Sequence, residues 1–186
     1  MTFKNAEEQI SFLDGPPACS DGEMDFCTNC PRKRNCCTRI RSDGPIVPPF
    51  LFSGEVEKIA RLTGLSAEQV VVAKRGEDAE EFEVLRSTEP GCIFNAGGLC
   101  QIYANRPIDC RLFPFDVHER ADGRLVWVVY TDLCPVSFDY NRYFPGVKML
   151  LRKAGLSESE VRRYSRYGKR MYNEHVIELE EVEFKK

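Results

Sequence analysis

Nine cysteines punctuate the 186-residue chain: Cys19, Cys27, Cys30, Cys36, Cys37, Cys92, Cys100, Cys110 and Cys134. Cys27-Thr28-Asn29-Cys30 is a C-x2-C knuckle, a spacing that lets two thiolates from one tight turn face the same ion. A lone knuckle is shared by zinc sites, iron–sulfur sites and redox dithiols. Here Cys36 and Cys37 follow it, and Cys92, Cys100, Cys110 and Cys134 complete a group of eight, enough for two four-thiolate sites or one site with spare ligands. Soft thiolates favour zinc and iron–sulfur clusters, whereas Ca2+ or Mg2+ would call for carboxylate oxygens. Side chains of adjacent residues diverge, so either Cys36 and Cys37 serve different sites or one of them sits beside a site without ligating. Any one of Cys92, Cys110 or Cys134 taken alone reads equally well as a small core residue. That reading fits the group Cys27, Cys30, Cys36 and Cys37 poorly, and Cys19 stands outside the pattern.

A metal reading requires reduced thiols, and the compartment implied by the sequence supplies them. Met1 to Asp14 interleaves Lys4, Glu7, Glu8 and Asp14 with its apolar residues, unlike a secretory leader. No apolar run approaches the roughly 20 residues that span a bilayer. The expectation is a cytoplasmic chain without a membrane segment, where disulfides are disfavoured. The formal net charge of −3 argues against a surface built for nucleic acid.

The elements that must position these cysteines change in texture along the chain. Gly15 to Pro49 is rich in cysteine and proline, carries Arg32-Lys33-Arg34 and has no helical or strand period, so a metal would have to order it. Ser53 is read as the N-cap of a helix over Gly54–Thr63 that ends at Gly64. Ser66-Ala67-Glu68-Gln69 is read as a capping box opening a second helix to about Lys74. Phe82–Arg86 is a candidate strand. Cys92–Phe94 and Cys100–Tyr103 are expected to form a hairpin across Asn95–Gly98 that brings the two cysteines together. Pro107 opens a helical turn holding Cys110, and Ala121-Asp122-Gly123 joins strands over Phe113–Arg120 and Arg124–Thr131. Helices are expected over Gly146–Lys153 and from the capping box Ser157–Glu160 to about Asn173, with a strand over Val176–Phe184.

The residues Cys92-Ile93-Phe94, Gly98-Leu99-Cys100-Gln101-Ile102-Tyr103 and Arg106-Pro107-Ile108-Asp109-Cys110-Arg111-Leu112-Phe113-Pro114 resemble the CxxCxxCC family, described as a zinc- or iron-chelating domain marked by eight cysteines. The likeness runs from Cys27 to about Cys134, most of the chain, and includes the segment Ser53–Lys74 between the cysteine groups. It implies Cys27, Cys30, Cys36, Cys37, Cys92, Cys100, Cys110 and Cys134 as the metal-associated cysteines. One departure is plain: five residues separate Cys30 from Cys36 where the family's name implies two. Flagellin lysine methylases, longer chains associated with an iron–sulfur cluster, are distant relatives. This chain has no G-x-G-x-x-G loop, so methyl transfer does not follow from the chelating region.

Arg106 and Arg111 flank Cys110 and could donate to sulfur or offset thiolate charge, a role that tunes metals from outside the ligand set. The segment Arg162–Arg170 mixes basic and aromatic side chains, which suits nucleic acid but more commonly marks a solvated face with inward tyrosines, balanced here by Glu178, Glu180, Glu181 and Glu183. His118 and His175 sit in no ligand-like spacing, and no nucleophile can be paired with a base.

The reading is one α+β domain over residues 1–186: a small cysteine-rich metal-bound domain with short β-hairpins, a cysteine core over about 19–137, and C-terminal helices over about 141–186. Its cofactor is an iron–sulfur cluster, [4Fe–4S] being one form, or zinc. The expected role is a redox or accessory factor. The alternatives are a structural zinc module that shapes a surface for a protein partner, and an enzyme related to protein-lysine methylation, with no catalytic residue assignable.

Overall fold

The computed structural model describes residues 48–76, 79–88, 91–96, 99–131, 139–171 and 176–184. The architecture is α+β, with short helices and antiparallel sheets alternating along the chain.

Helix α1 (Glu55–Thr63) has its N-cap at Gly54, with φ of 79°, rather than at Ser53. Its C-cap is Gly64, at φ of 70°, a left-handed conformation that glycine adopts at low cost. Ser66 and Gln69 form the expected capping box, but helix α2 is only Ala67–Val70. The chain then becomes strand β1 (Val71–Arg75), paired with β2 (Glu81–Leu85) from Val71↔Leu85 to Arg75↔Glu81. The β-branched pair Val71-Val72 favours the pleated sheet, and pairing with β2 overrides the helix that the cap alone would predict.

Two small hairpins follow. Strand β3 (Ser87–Thr88) pairs with β4 (Gly91–Cys92), and β5 (Asn95–Ala96) pairs with β6 (Leu99–Cys100). After a 3-10 turn at Tyr103–Asn105, helix α3 (Ile108–Leu112) starts at Pro107. Strands β7 (Phe115–Glu119) and β8 (Leu125–Tyr130) form the expected hairpin, with Gly123 at φ of 82° in the turn. Helix α4 (Tyr140–Ala154) begins six residues before the expected Gly146 and accommodates Pro145. Burial of Phe144 and Val147 on one face outweighs the hydrogen bond that Pro145 cannot donate. Helix α5 (Glu158–Met171) and strand β9 (Val176–Glu181) complete the fold, β9 lying beside β8 in a three-stranded sheet ordered β7-β8-β9.

Two apolar clusters result. The larger is aromatic, built from Phe50, Phe52, Phe82, Phe115, Trp127, Phe144, Tyr164 and Tyr167 with aliphatic residues of β2, α3, β7, β8, α4 and α5. Ring centroids of Phe50 and Phe52 lie 5.0 Å apart and those of Phe52 and Tyr164 5.1 Å, in tilted and edge-on geometries that such rings favour. The smaller comprises Leu51, Val56, Ile59, Val70, Leu85, Phe94 and Ile102. Extended backbone at residues 50–52 alternates between them: Phe50 and Phe52 enter the aromatic cluster, and Leu51 points into the other. Among the described residues, no helix is long and apolar enough to cross a membrane.

The charged faces pair differently from expectation. The acidic residues of β9 and its tail take Arg120 (Glu178), Arg124 (Glu181), Lys148 (Glu180) and Arg152 (Glu183) as partners. The α5 arginines engage other acids: Arg162 bonds Glu119 and Glu158, and Arg166 bonds Glu80 through both of its carboxylate oxygens. Tyr164 and Tyr167 do pack inward.

Candidate metal centre

Of the eight cysteines read as metal-associated, the structure describes Cys92, Cys100 and Cys110. Cys27, Cys30, Cys36, Cys37 and Cys134 lie outside the described residues, as do Cys19 and His175. Among the described residues, no three His, Cys, Asp or Glu side chains gather as a metal site.

Cys92 and Cys100 come from successive hairpins rather than from opposite strands of one. Cys92 pairs across from Ser87, and Cys100 from Asn95. The intended register fails because Cys92 is taken up by the strand before it, while the chain reverses at Ile93-Phe94 into the next hairpin. Both side chains are half-buried and pack against the smaller apolar cluster. The backbone N–H of Phe94 donates to Cys92 Sγ at 3.4 Å, an interaction that stabilises charge on sulfur. Gln101 N–H donates to the Phe94 carbonyl at 2.9 Å and ties the turn after Cys92 to the turn after Cys100.

The link from Cys100 to Cys110 is held by Arg106. Its guanidinium lies over the Tyr103 ring at 4.0 Å, and its Nη1 donates to the Tyr103 carbonyl at 2.9 Å. Arg106 is thus occupied in locking the 3-10 turn and is buried. Arg111 is half-buried beside Cys110, and desolvation pushes its pKa down from the ordinary arginine value.

Two acids that sequence reading passed over hold α3 in place. Glu55 Oε1 accepts from Ile108 N–H at 2.8 Å, and Oε2 from Phe52 N–H at 3.0 Å. Asp109 Oδ2 accepts from Phe50 N–H at 2.7 Å, and Oδ1 from the Tyr164 hydroxyl at 2.9 Å. Burial raises both carboxyls to about 7, against the lowering effect of these donors. Glu55 looks in sequence like an ordinary acid in the first turn of a helix. The only signal for Asp109 was its place directly before Cys110.

His118 sits in β7 opposite Val126, with Nε2 2.9 Å from the Tyr130 hydroxyl and 3.8 Å from Asp116.

The described thiols fit a thiophilic metal: they are soft donors on short, well-anchored elements, with a backbone N–H aimed at the Cys92 sulfur. Neither the curated proteins nor the solved structures contain a match to this chain. Residues 26–134 match the CxxCxxCC family, whose description reads "Putative zinc- or iron-chelating domain". Covering more than half of the chain and taking in the three cysteines just described, that match makes this protein a member of the CxxCxxCC family of zinc- or iron-chelating domains.

Proposed function

We propose that residues 1–186 act as one domain that holds an iron–sulfur cluster through Cys27, Cys30, Cys36, Cys37, Cys92, Cys100, Cys110 and Cys134, in a redox or accessory role. The observation that carries this reading is the placement of Cys92 and Cys100 at one apolar cluster, with the Phe94 N–H donating to the Cys92 sulfur. Amide donors to sulfur and a partly apolar surround are levers that tune cluster potentials. A bound cluster would supply one-electron chemistry. Zinc in the same thiolates would supply only a fixed tie between the cysteine-rich N-terminal segment and the hairpins.

The test is a visible spectrum with iron, zinc and sulfide analysis on protein purified without oxygen. A brown sample with a broad band near roughly 400 nm and iron matched by sulfide is expected. A colourless sample carrying about one or two zinc ions would replace the cluster with a structural zinc site. Cys30→Ala and Cys110→Ala are expected to lower metal content, whereas Cys19→Ala leaves it unchanged. Full metal content in both of the first two would remove this ligand assignment.

A further inference from the structure

Helix α3 carries Cys110 but is five residues long, far below the length at which a helix holds its own shape. It is fastened from outside, at successive residues. Its first N–H, that of Ile108, is accepted by Glu55 on α1 at 2.8 Å. The next residue, Asp109, receives Phe50 N–H at 2.7 Å on one oxygen and the Tyr164 hydroxyl of α5 at 2.9 Å on the other. At the far end Leu112, fully buried, drops into the aromatic cluster. The anchors therefore come from α1, from the extended segment at residues 50–52 and from α5, between 53 and 59 residues away along the chain.

Stability alone does not call for this arrangement. Desolvating a carboxylate is costly, and well-packed apolar side chains in its place are commonly neutral or better. What two hydrogen-bonded carboxylates provide, and apolar contacts do not, is a fixed direction and register for the element they hold. The two residues between the Asp109 anchor and the buried Leu112 are Cys110 and Arg111.

We propose that Glu55, Asp109 and Tyr164 are positioning residues for the metal centre, holding α3 so that the Cys110 thiol is already in place when metal arrives. The inference rests on the reading of Cys110 as a metal ligand and extends it: these three groups act through α3 and are not themselves ligands. A ligand ordered in advance spares the metal the cost of ordering it, so loosening α3 weakens metal binding even where the fold survives.

The experiment uses the full chain, reduced and free of oxygen, titrated with Co2+ as a coloured stand-in whose thiolate charge-transfer and d–d bands report on the ligands. Affinity is measured by competition with a chelator, and far-ultraviolet circular dichroism reports the fold. Tyr164→Phe and Glu55→Gln are expected to keep wild-type circular dichroism and cobalt stoichiometry. They should lose about 10- to 100-fold in affinity, the usual effect of removing a group that orients a ligand, with displaced d–d bands. Wild-type affinity and bands in both variants, alongside altered bands in Cys110→Ser, would overturn the positioning role while leaving Cys110 a ligand. Unaltered bands and stoichiometry in Cys110→Ser would instead overturn the ligand reading and this proposal with it. If neither Tyr164→Phe nor Glu55→Gln folds, the groups are determinants of the fold, and the positioning role is likewise rejected.

Discussion

Asp116 is a carboxylate in a place that disfavours its charge. It is 3% exposed in β7, accepting Val117 N–H at 2.7 Å and the Tyr130 hydroxyl at 2.9 Å, with the His118 Nε2 3.8 Å away. Tyr164 of α5 faces it as well, and Asp109 of α3 is close enough for the two acids to repel. Burial outweighs the hydrogen bonds and raises its pKa to about 6 from an ordinary 3.8. Between those values the folded chain holds a proton that the unfolded chain has released, so stability falls as pH rises through this window and levels off above it. Glu55 and Asp109, raised to about 7, extend the same trend toward neutrality. Glu80 and Glu160, lowered by their partners, act in the opposite sense from more exposed positions. The informative quantity is therefore the difference between two melting curves. Asp116→Asn should remove a stability loss on the order of 1–3 kcal/mol between about pH 4 and 6.5, measured as the melting temperature of variant and wild type across that range. Parallel pH profiles would show that Asp116 titrates normally.

At the scale of elements, local chemistry that closes on itself proved readable, and chemistry that depends on distant strands did not. The capping box at Ser157 is complete: its N–H donates to Glu160 Oε2 at 2.9 Å, and Glu160 N–H donates to Ser157 Oγ at 3.3 Å. Ser157→Ala should lower stability by about 1 kcal/mol and leave metal content unchanged, with urea unfolding and metal analysis as the paired measurements. An unchanged midpoint would mean that burial of Val161 and Tyr164 alone sets the start of α5. The turn at Gly123 and the strands beside it were legible for the same local reason, as was β9. Four features were not: the switch from α2 to β1 at Val71, the start of α4 before Pro145, the capture of Cys92 by β3, and the partners of the acidic tail. The capture of Cys92 turns on a competing strand at Ser87, only five residues back, and the others on a strand, core face or charge that the local pattern does not contain. The candidate site divides in the same way. The cysteines and their family pattern stand out by type and spacing, whereas Glu55 and Asp109 matter through hydrogen bonds to residues more than fifty positions away.

For the molecule as a whole, the division into two apolar clusters sets what metal can control. The aromatic cluster draws on β2, α3, β7, β8, α4 and α5 and has none of the described cysteines as a member; the smaller one has Cys92 and Cys100 packed against it. The small cluster has seven buried members, and hairpins of two-residue strands supply its cysteine side, too little structure to be stable alone. A metal bound through Cys92 and Cys100 would tie the small cluster directly, whereas Cys110 would reach the aromatic cluster through α3 and its buried Leu112. The two clusters still share residues 50–52 and the Glu55 bond to Ile108, so loosening one need not melt the other. Chelating the metal should therefore raise amide hydrogen exchange several-fold across α1, β4 to β6 and the 3-10 turn, while β7 and β8 keep their protection. Hydrogen-exchange mass spectrometry of metal-loaded and chelated protein separates the outcomes. Equal loss of protection in both clusters would make the protein one cooperative unit that metal holds together. No loss in either would place the metal outside the part of the fold that carries Cys92 and Cys100.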